Sequence, residues 1–105
     1  MLPRGLRLTR DQFPRVAQGK RAISAHFSVS FAASEVGRAA AVVSKKVAKR
    51  SVDRHALKRR MLATSLPFLV DGRAFVVYAR AGSTQLSSSE LRTELNSLLK
   101  QLPKV

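Results

Sequence analysis

The side chains of this sequence best placed to do chemistry are cations. Lys45, Lys46, Lys49, Arg50, Arg54, Lys58, Arg59 and Arg60 crowd into the run KKVAKRSVDRHALKRR, where Asp53 is the only acid. Eight positive charges less one negative leave seven, half of the formal net charge of +14. That density repels itself unless a polyanion neutralises it, so a folded chain presenting it on a short helix reads as a nucleic-acid binder. Arg50, Arg54 and Lys58 stand at i, i+4 and i+8 and form one row on a helix surface. Like charges so spaced cost roughly 0.2–0.5 kcal/mol per pair in the free helix, a cost recovered when phosphates bind. Leu57 and Met61 mark one apolar sector of that helix and Val52, Ala56 and Ala63 another. Arg54 and Lys58 are expected to point outward between them.

The other reactive side chains do not assemble into a catalyst. His26 lies in a strand pattern and His55 among arginines, neither with a neighbour at metal-ligand spacing. The acids at positions 11, 35, 53, 71, 90 and 94 fall in caps, turns and a helix surface, without a pair resembling a general acid and its base. G-x-S-x-G and S-x-x-K are missing, as is a glycine-rich phosphate loop. His55 reads either as an RNA-facing donor or stacking ring, or as a core or surface residue. Five Phe, one Tyr and no Trp leave too few rings for an exposed base-stacking platform. Phe13 reads either as a ring lining a groove or as core packing. No catalytic residue and no metal site is assigned to the protein.

The elements that must position the cations follow from periodicity. Residues 1–8 read as a flexible basic arm, since Pro3 and Gly5 oppose regular structure. Either Thr9 and Gln12 form a capping box, or Asp11 caps with Pro14 in the first turn; both start a short helix with Phe13 and Val16 that Gly19 stops. Phe27, Val29 and Phe31 alternate with His26, Ser28 and Ser30, the pattern of a half-buried antiparallel strand. Ala33 to Gly37 reads as a hairpin turn and Ala39 to Val43 as the second strand, with a further β segment around Ala22 not separable. Ser51 is the expected N-cap of the basic helix, which runs to about Ser65 before Pro67. Phe75–Ala79 is a buried strand. Ser87-x-x-Glu90 is a capping box ahead of Leu91, Leu95, Leu98, Leu99 and Leu102, a clear amphipathic stripe. The order is α-β-β(-β)-α-β-α, an α+β sandwich with helices packed on one sheet.

A chain of 105 residues, 45% hydrophobic, is expected to be one domain, 1–105, with its own core. It has no cysteine, so disulfides and thiolate metal sites are out. No apolar run approaches the roughly 20 residues of a membrane span, and no apolar stretch follows the N-terminal charges as in a signal peptide. The expected setting is cytoplasmic, without a membrane partner.

The segment SKKVAKRSVDRHALKRR, residues 44–60, resembles the signature of the protein subunit of bacterial ribonuclease P: a Ser/Ala-Lys-Lys approach, then an Arg-Asn-Arg-x-Lys-Arg helix. Arg54 falls on the first Arg and Lys58-Arg59 on the closing pair, while His55 replaces the Asn, Ala56 the second Arg and Leu62 a further Arg. LRLTRDQFPRVAQGKR resembles the family's first helix, FVVYARAG its last strand, and the Leu-rich helix its close. The likeness runs over roughly residues 6–102.

The resemblance implies a two-layer sandwich like ribosomal protein S5 domain 2, order α-β-β-β-α-β-α, with a left-handed β-α-β crossover. Chain chemistry alone favours the right-handed one. It implies a non-catalytic subunit of an endoribonuclease, one protein per catalytic RNA, that RNA holding the Mg²⁺ and hydrolysing the 5′ leader from precursor tRNA. Lys45, Lys46, Lys49, Arg50, Arg54, His55, Lys58 and Arg59 match the RNA-binding signature. Phe13, Ala17, Ser30, Ala79 and Arg80 match a cleft for the single-stranded leader, where Ala17 and Ser30 replace rings common in relatives. The rival readings are a ribosomal or RNA-assembly protein on a related fold, an autonomous nuclease and a DNA-binding module.

Overall fold

The computed structural model describes residues 7–9, 11–35 and 37–102. In chain order it forms α1 (Phe13–Ala17), β1 (Lys20–Ile23), β2 (Phe27–Ser34), β3 (Arg38–Val42), α2 (Ser51–Ser65), β4 (Gly72–Ala79) and α3 (Ser88–Lys100). Short 3₁₀ turns follow α2 at Leu66–Phe68 and precede α3 at Ser83–Gln85. The strands make one sheet ordered β1-β2-β4-β3. β1 and β4 flank β2 antiparallel, and β3 lies parallel to β4 on the far side. The β3-α2-β4 crossover therefore carries the basic helix.

Strand alternation divides the sheet into two faces. Phe27, Val29, Phe75, Val77 and Ala39 look toward α2 and α3 and join Leu57, Met61, Leu91, Leu95, Leu98 and Leu99 in the main core. Each of the Val, Leu, Phe and Met side chains contributes roughly 1.5–3 kcal/mol by leaving water. The alternate residues Ala74 and Val76 form a smaller core with Val16 of α1 on the opposite face, joined at its edge by Phe13, Val42 and Tyr78. The sheet is thus roofed fully on one side and partly on the other.

Local signals set the helix ends. Ser87 Oγ accepts from the Glu90 N–H at 3.1 Å while Glu90 Oε1 accepts from the Ser87 N–H at 2.9 Å, the reciprocal capping box expected of that spacing. Of the two starts open to the first helix, Thr9 and Gln12 exchange the box bonds at 3.2 and 3.3 Å, one turn ahead of α1. Gly19 then brings the chain so close to β2 that a Cβ there would run into the Phe31 carbonyl oxygen. Buried Arg73 donates to the carbonyls of Leu102 at 3.2 Å and Phe68 at 3.1 Å, tying the end of α3 to the turn after α2.

Four expectations are corrected. β2 and β3 are not a hairpin, because β4 inserts between them. β2 is not half-buried: Phe27 to Ser30 are all buried, since α1 roofs its second face. The cap of α2 is Arg50, in extended backbone, and Ser51 is the first helical residue. Residues 1–6 of the expected arm lie outside the described residues, but Arg7 pairs with Ala39 and the Leu8 N–H donates to the Ala39 carbonyl at 3.3 Å, covering the β3 edge.

Candidate nucleic-acid interface

The basic segment is a rigid turn followed by a helix. The N–H groups of Val47 and Ala48 both donate to the Ser44 carbonyl at 3.1 Å. Val43 and Ala48, each 6% exposed, pin the turn to the core, while Lys45, Lys46, Lys49 and Arg50 stay in solvent. Arg54 fastens the turn to the helix, with Nη1 donating to the carbonyls of Ala48 at 3.0 Å and Lys49 at 2.8 Å. Half-buried and turned back, Arg54 does not point outward as its spacing suggested.

At about 100° per residue, Leu57, Met61, Thr64 and Ser65 set the buried side of α2. His55 and Arg59 then lie on the exposed crest together with Val52 and Ala63. Val52 is 56% exposed, so its expected apolar sector does not pack. Lys58 flanks one side of the crest, half-buried beside Arg7 and Ala39–Ala41. Arg60, with Asp53, flanks the other. Among the described residues, Arg50 Nε to Asp53 Oδ2 at 3.4 Å is the one ion pair on this ridge. Exposed at both ends, that pair is worth little, about 0–1 kcal/mol. The backbone that carries the cations is therefore held in place, and among the described residues only Arg50 of the ridge has a carboxylate partner.

The partly roofed sheet face is the second candidate surface. Phe13 borders it from α1, half-buried. Arg21 of β1 lies over the Tyr78 ring of β4, its guanidinium carbon 5.4 Å from the ring centroid, in cation–π range. Ser28 and Ser30, paired opposite Tyr78 and Val76, form the buried floor between them.

The family model described as Ribonuclease P matches residues 2–103. The chain belongs to the ribonuclease P protein family. A ribonuclease P protein component from Idiomarina loihiensis is 33% identical over 88 residues, covering 80% of this chain and 70% of that one. The solved ribonuclease P protein from Thermotoga maritima superposes with a TM-score of 0.81 at 24% identity, covering 93% of this chain and 98% of that one. The Staphylococcus aureus protein gives 0.79 at 22%, covering 90% and 93%. The mixed α+β fold with a four-stranded sheet is accordingly that of ribonuclease P proteins.

The leader-cleft residues taken from the family resemblance do not share one surface. Phe13 and Ala17 of α1 are half-buried above the face where Ser30 is wholly buried. Ser30 Oγ has no hydrogen-bond partner among the described residues. Ala79, in phase with Phe75 and Val77, packs on the main-core face instead. Arg80 is exposed, with Nη1 donating to the Ser24 carbonyl at 2.6 Å. Strand parity from Phe75 would have separated Ala79 from the others and found Tyr78. Arg21 was missed because β1 could not be delimited.

Sequence reasoning also missed a lock at the end of the sheet. Glu94 of α3 accepts from Ser24 Oγ at 2.5 Å, the His26 N–H at 2.7 Å and His26 Nδ1 at 2.7 Å. Burial opposes ionisation of this carboxyl and is the largest single influence. The Ser24 and His26 hydrogen bonds, with the histidine's charge, nonetheless hold it below its ordinary value. The Arg80 N–H closes the same corner on the His26 carbonyl at 2.8 Å. These ties fasten the β1–β2 turn to α3 and to the end of β4.

Proposed function

We propose that this ribonuclease P protein binds the catalytic RNA of the enzyme through the 44–60 segment and the 5′ leader of precursor tRNA across the partly roofed sheet face. Leader removal to give the mature tRNA 5′ end is promoted by the protein, without a catalytic side chain of its own. The observation carrying this reading is the unneutralised crest and flanks of α2, held by packing and by Arg54. Lysine and arginine displace condensed counterions from RNA phosphates and let two polyanions, ribozyme and substrate, approach each other. Arg21, Tyr78 and Phe13 supply cation and ring edges for a single strand, a role that among these three only Phe13 was expected to take.

Among the described residues, no three His, Cys, Asp or Glu side chains converge. Mg²⁺ is placed with the RNA in this reading, one protein serves each RNA, and the complex works in the cytoplasm. Among the described residues, no helix is long and apolar enough to cross a membrane.

The test is cleavage of precursor tRNA by the catalytic RNA at low Mg²⁺, with and without the protein. Stimulation is expected, and Phe13→Ala is expected to reduce the preference for precursor over mature tRNA in binding. A protein that fails to stimulate cleavage returns the ribosomal or RNA-assembly reading to the front.

A further inference from the structure

On the flank of α2 away from Lys58, a cavity of about 410 Å³ opens between the 45–50 turn, the helix and the 3₁₀ turn at Ser83–Gln85. This volume falls in the range of about 300–1,000 Å³ typical of small-ligand sites. Val47, Ala48, Ala56 and Leu57 give part of its lining an apolar character. Its rim carries two cations, Lys49 and Arg60, one carboxylate, Asp53, and the Thr84 hydroxyl.

We propose that this cavity receives one unpaired guanine nucleotide of the RNA partner, an inference that rests on the RNA-binding reading above. The apolar side chains offer a surface to the face of a heterocycle, and Lys49 and Arg60 match a phosphate on the same nucleotide. Asp53 decides the base. An ionised carboxylate only accepts hydrogen bonds, through two oxygens. Guanine presents two adjacent N–H donors on its Watson–Crick edge, whereas adenine sets a lone pair beside its amino group and meets the carboxylate with repulsion. RNA-binding proteins read bases in this way only where the base is unstacked and splayed out. Asp53 is available for the task, since its one partner among the described residues, Arg50 Nε, stands at 3.4 Å, long for a charge-assisted hydrogen bond. The replacement of the family's second signature Arg by Ala56 leaves a small side chain in the cavity lining, where a long cation would compete for the space.

The isotope-labelled full chain, titrated with guanosine 5′-monophosphate and separately with adenosine 5′-monophosphate, tests the proposal by NMR. The expected result is saturable shifts at the amides of Val47–Lys49, Asp53, Ala56 and Thr84, with the guanosine nucleotide preferred about five-fold or more. Asp53→Asn is expected to abolish that preference and to weaken binding of the catalytic RNA. Were Asp53 only a favourable charge in the first turn of α2, its removal from a cationic ridge would instead tighten RNA binding. Ala56→Met, which fills the cavity with a helix-compatible side chain, is expected to abolish nucleotide shifts in a chain that still melts cooperatively. Equal affinity for the two nucleotides, or no cavity shifts up to about 20 mM, overturns the proposal. Salt-dependent binding of the catalytic RNA, measured in parallel, separates that failure from failure of the RNA-binding reading itself.

Discussion

Arg54 gives its guanidinium to the carbonyls of Ala48 and Lys49, whereas Arg59, five positions along the same helix, stands on the crest in solvent. The two arginines therefore separate stability from affinity. Arg54→Ala removes two charge-assisted bonds and frees the basic turn, with an expected loss of about 1–3 kcal/mol in urea denaturation. Arg59→Ala is expected to leave stability within about 0.5 kcal/mol and to lower the slope of log K against log salt by about 0.7–0.9, the value of one phosphate contact. The reverse pattern would move the contact to Arg54. Glu94 belongs to the same scale. Its lowered pKa makes the ionised form the one the fold favours, so its contribution is complete above the ordinary value of 4.5 and is lost as pH falls through the lowered folded value. Glu94→Gln is expected to destabilise by about 1–3 kcal/mol at neutral pH and to flatten the acid limb of Tm against pH. An unchanged acid limb would remove Glu94 from the lock. Nothing local marks this residue, because Ser24 and His26 reach it from 70 and 68 positions away.

At the scale of elements, what was legible was what is local. The Leu stripe and the Ser87 box announced α3, and α2 ends where Pro67 acts on its neighbours, while its start fell one residue before expectation with no side-chain cap to mark it. Strand alternation told which residues share a face but not which strand lies beside which. Two apolar strands close in sequence read as a hairpin, and only β4, arriving after α2, shows that β3 pairs parallel and non-locally. The burial of Ser28 and Ser30 escaped notice for the same reason, since both read as facing away from the core until α1 folds across them. Gly19 is the hinge of that roof. With the Phe31 carbonyl oxygen where its Cβ would stand, Gly19→Ala must push α1 or the start of β1 away from β2. The expected result is a loss of about 1–3 kcal/mol, as for other overpacked sites, and faster hydrogen exchange at the β1 amides paired with β2. Wild-type exchange in this variant would mean that the added Cβ is accommodated without parting the strands.

For the whole molecule, the governing quantity is charge per volume. A net +14 is carried by a body with a Cα radius of gyration of 12.7 Å and extents of 35 × 25 × 23 Å. The Debye length is about 30 Å at 0.01 M ionic strength and about 8 Å at 0.15 M. In dilute buffer every cation therefore feels nearly every other, whereas at physiological salt repulsion is confined to neighbours on the 45–60 ridge. Two effects of added anions can then be told apart. Screening depends on ionic strength alone, so sodium chloride and sodium sulfate at matched ionic strength should raise Tm equally if screening is all that acts. Binding of a multivalent anion by the folded ridge adds a term that grows with RT ln(1 + [L]/Kd). Sulfate is accordingly expected to give the larger rise in Tm, followed by circular dichroism from about 10 mM ionic strength upward. Because sulfate also strengthens folding by exclusion from protein surfaces generally, the deciding comparison is with Lys45→Ala/Lys46→Ala, two exposed positions outside the packed core. Exclusion acts on both proteins alike, whereas ridge binding should shrink the sulfate increment in the double variant, whose loss of two like charges should by itself raise the melting temperature in dilute buffer. Equal sulfate increments in the two proteins would mean that the ridge does not gather anions in the folded state, and the electrostatic basis for seating an RNA there would go with it.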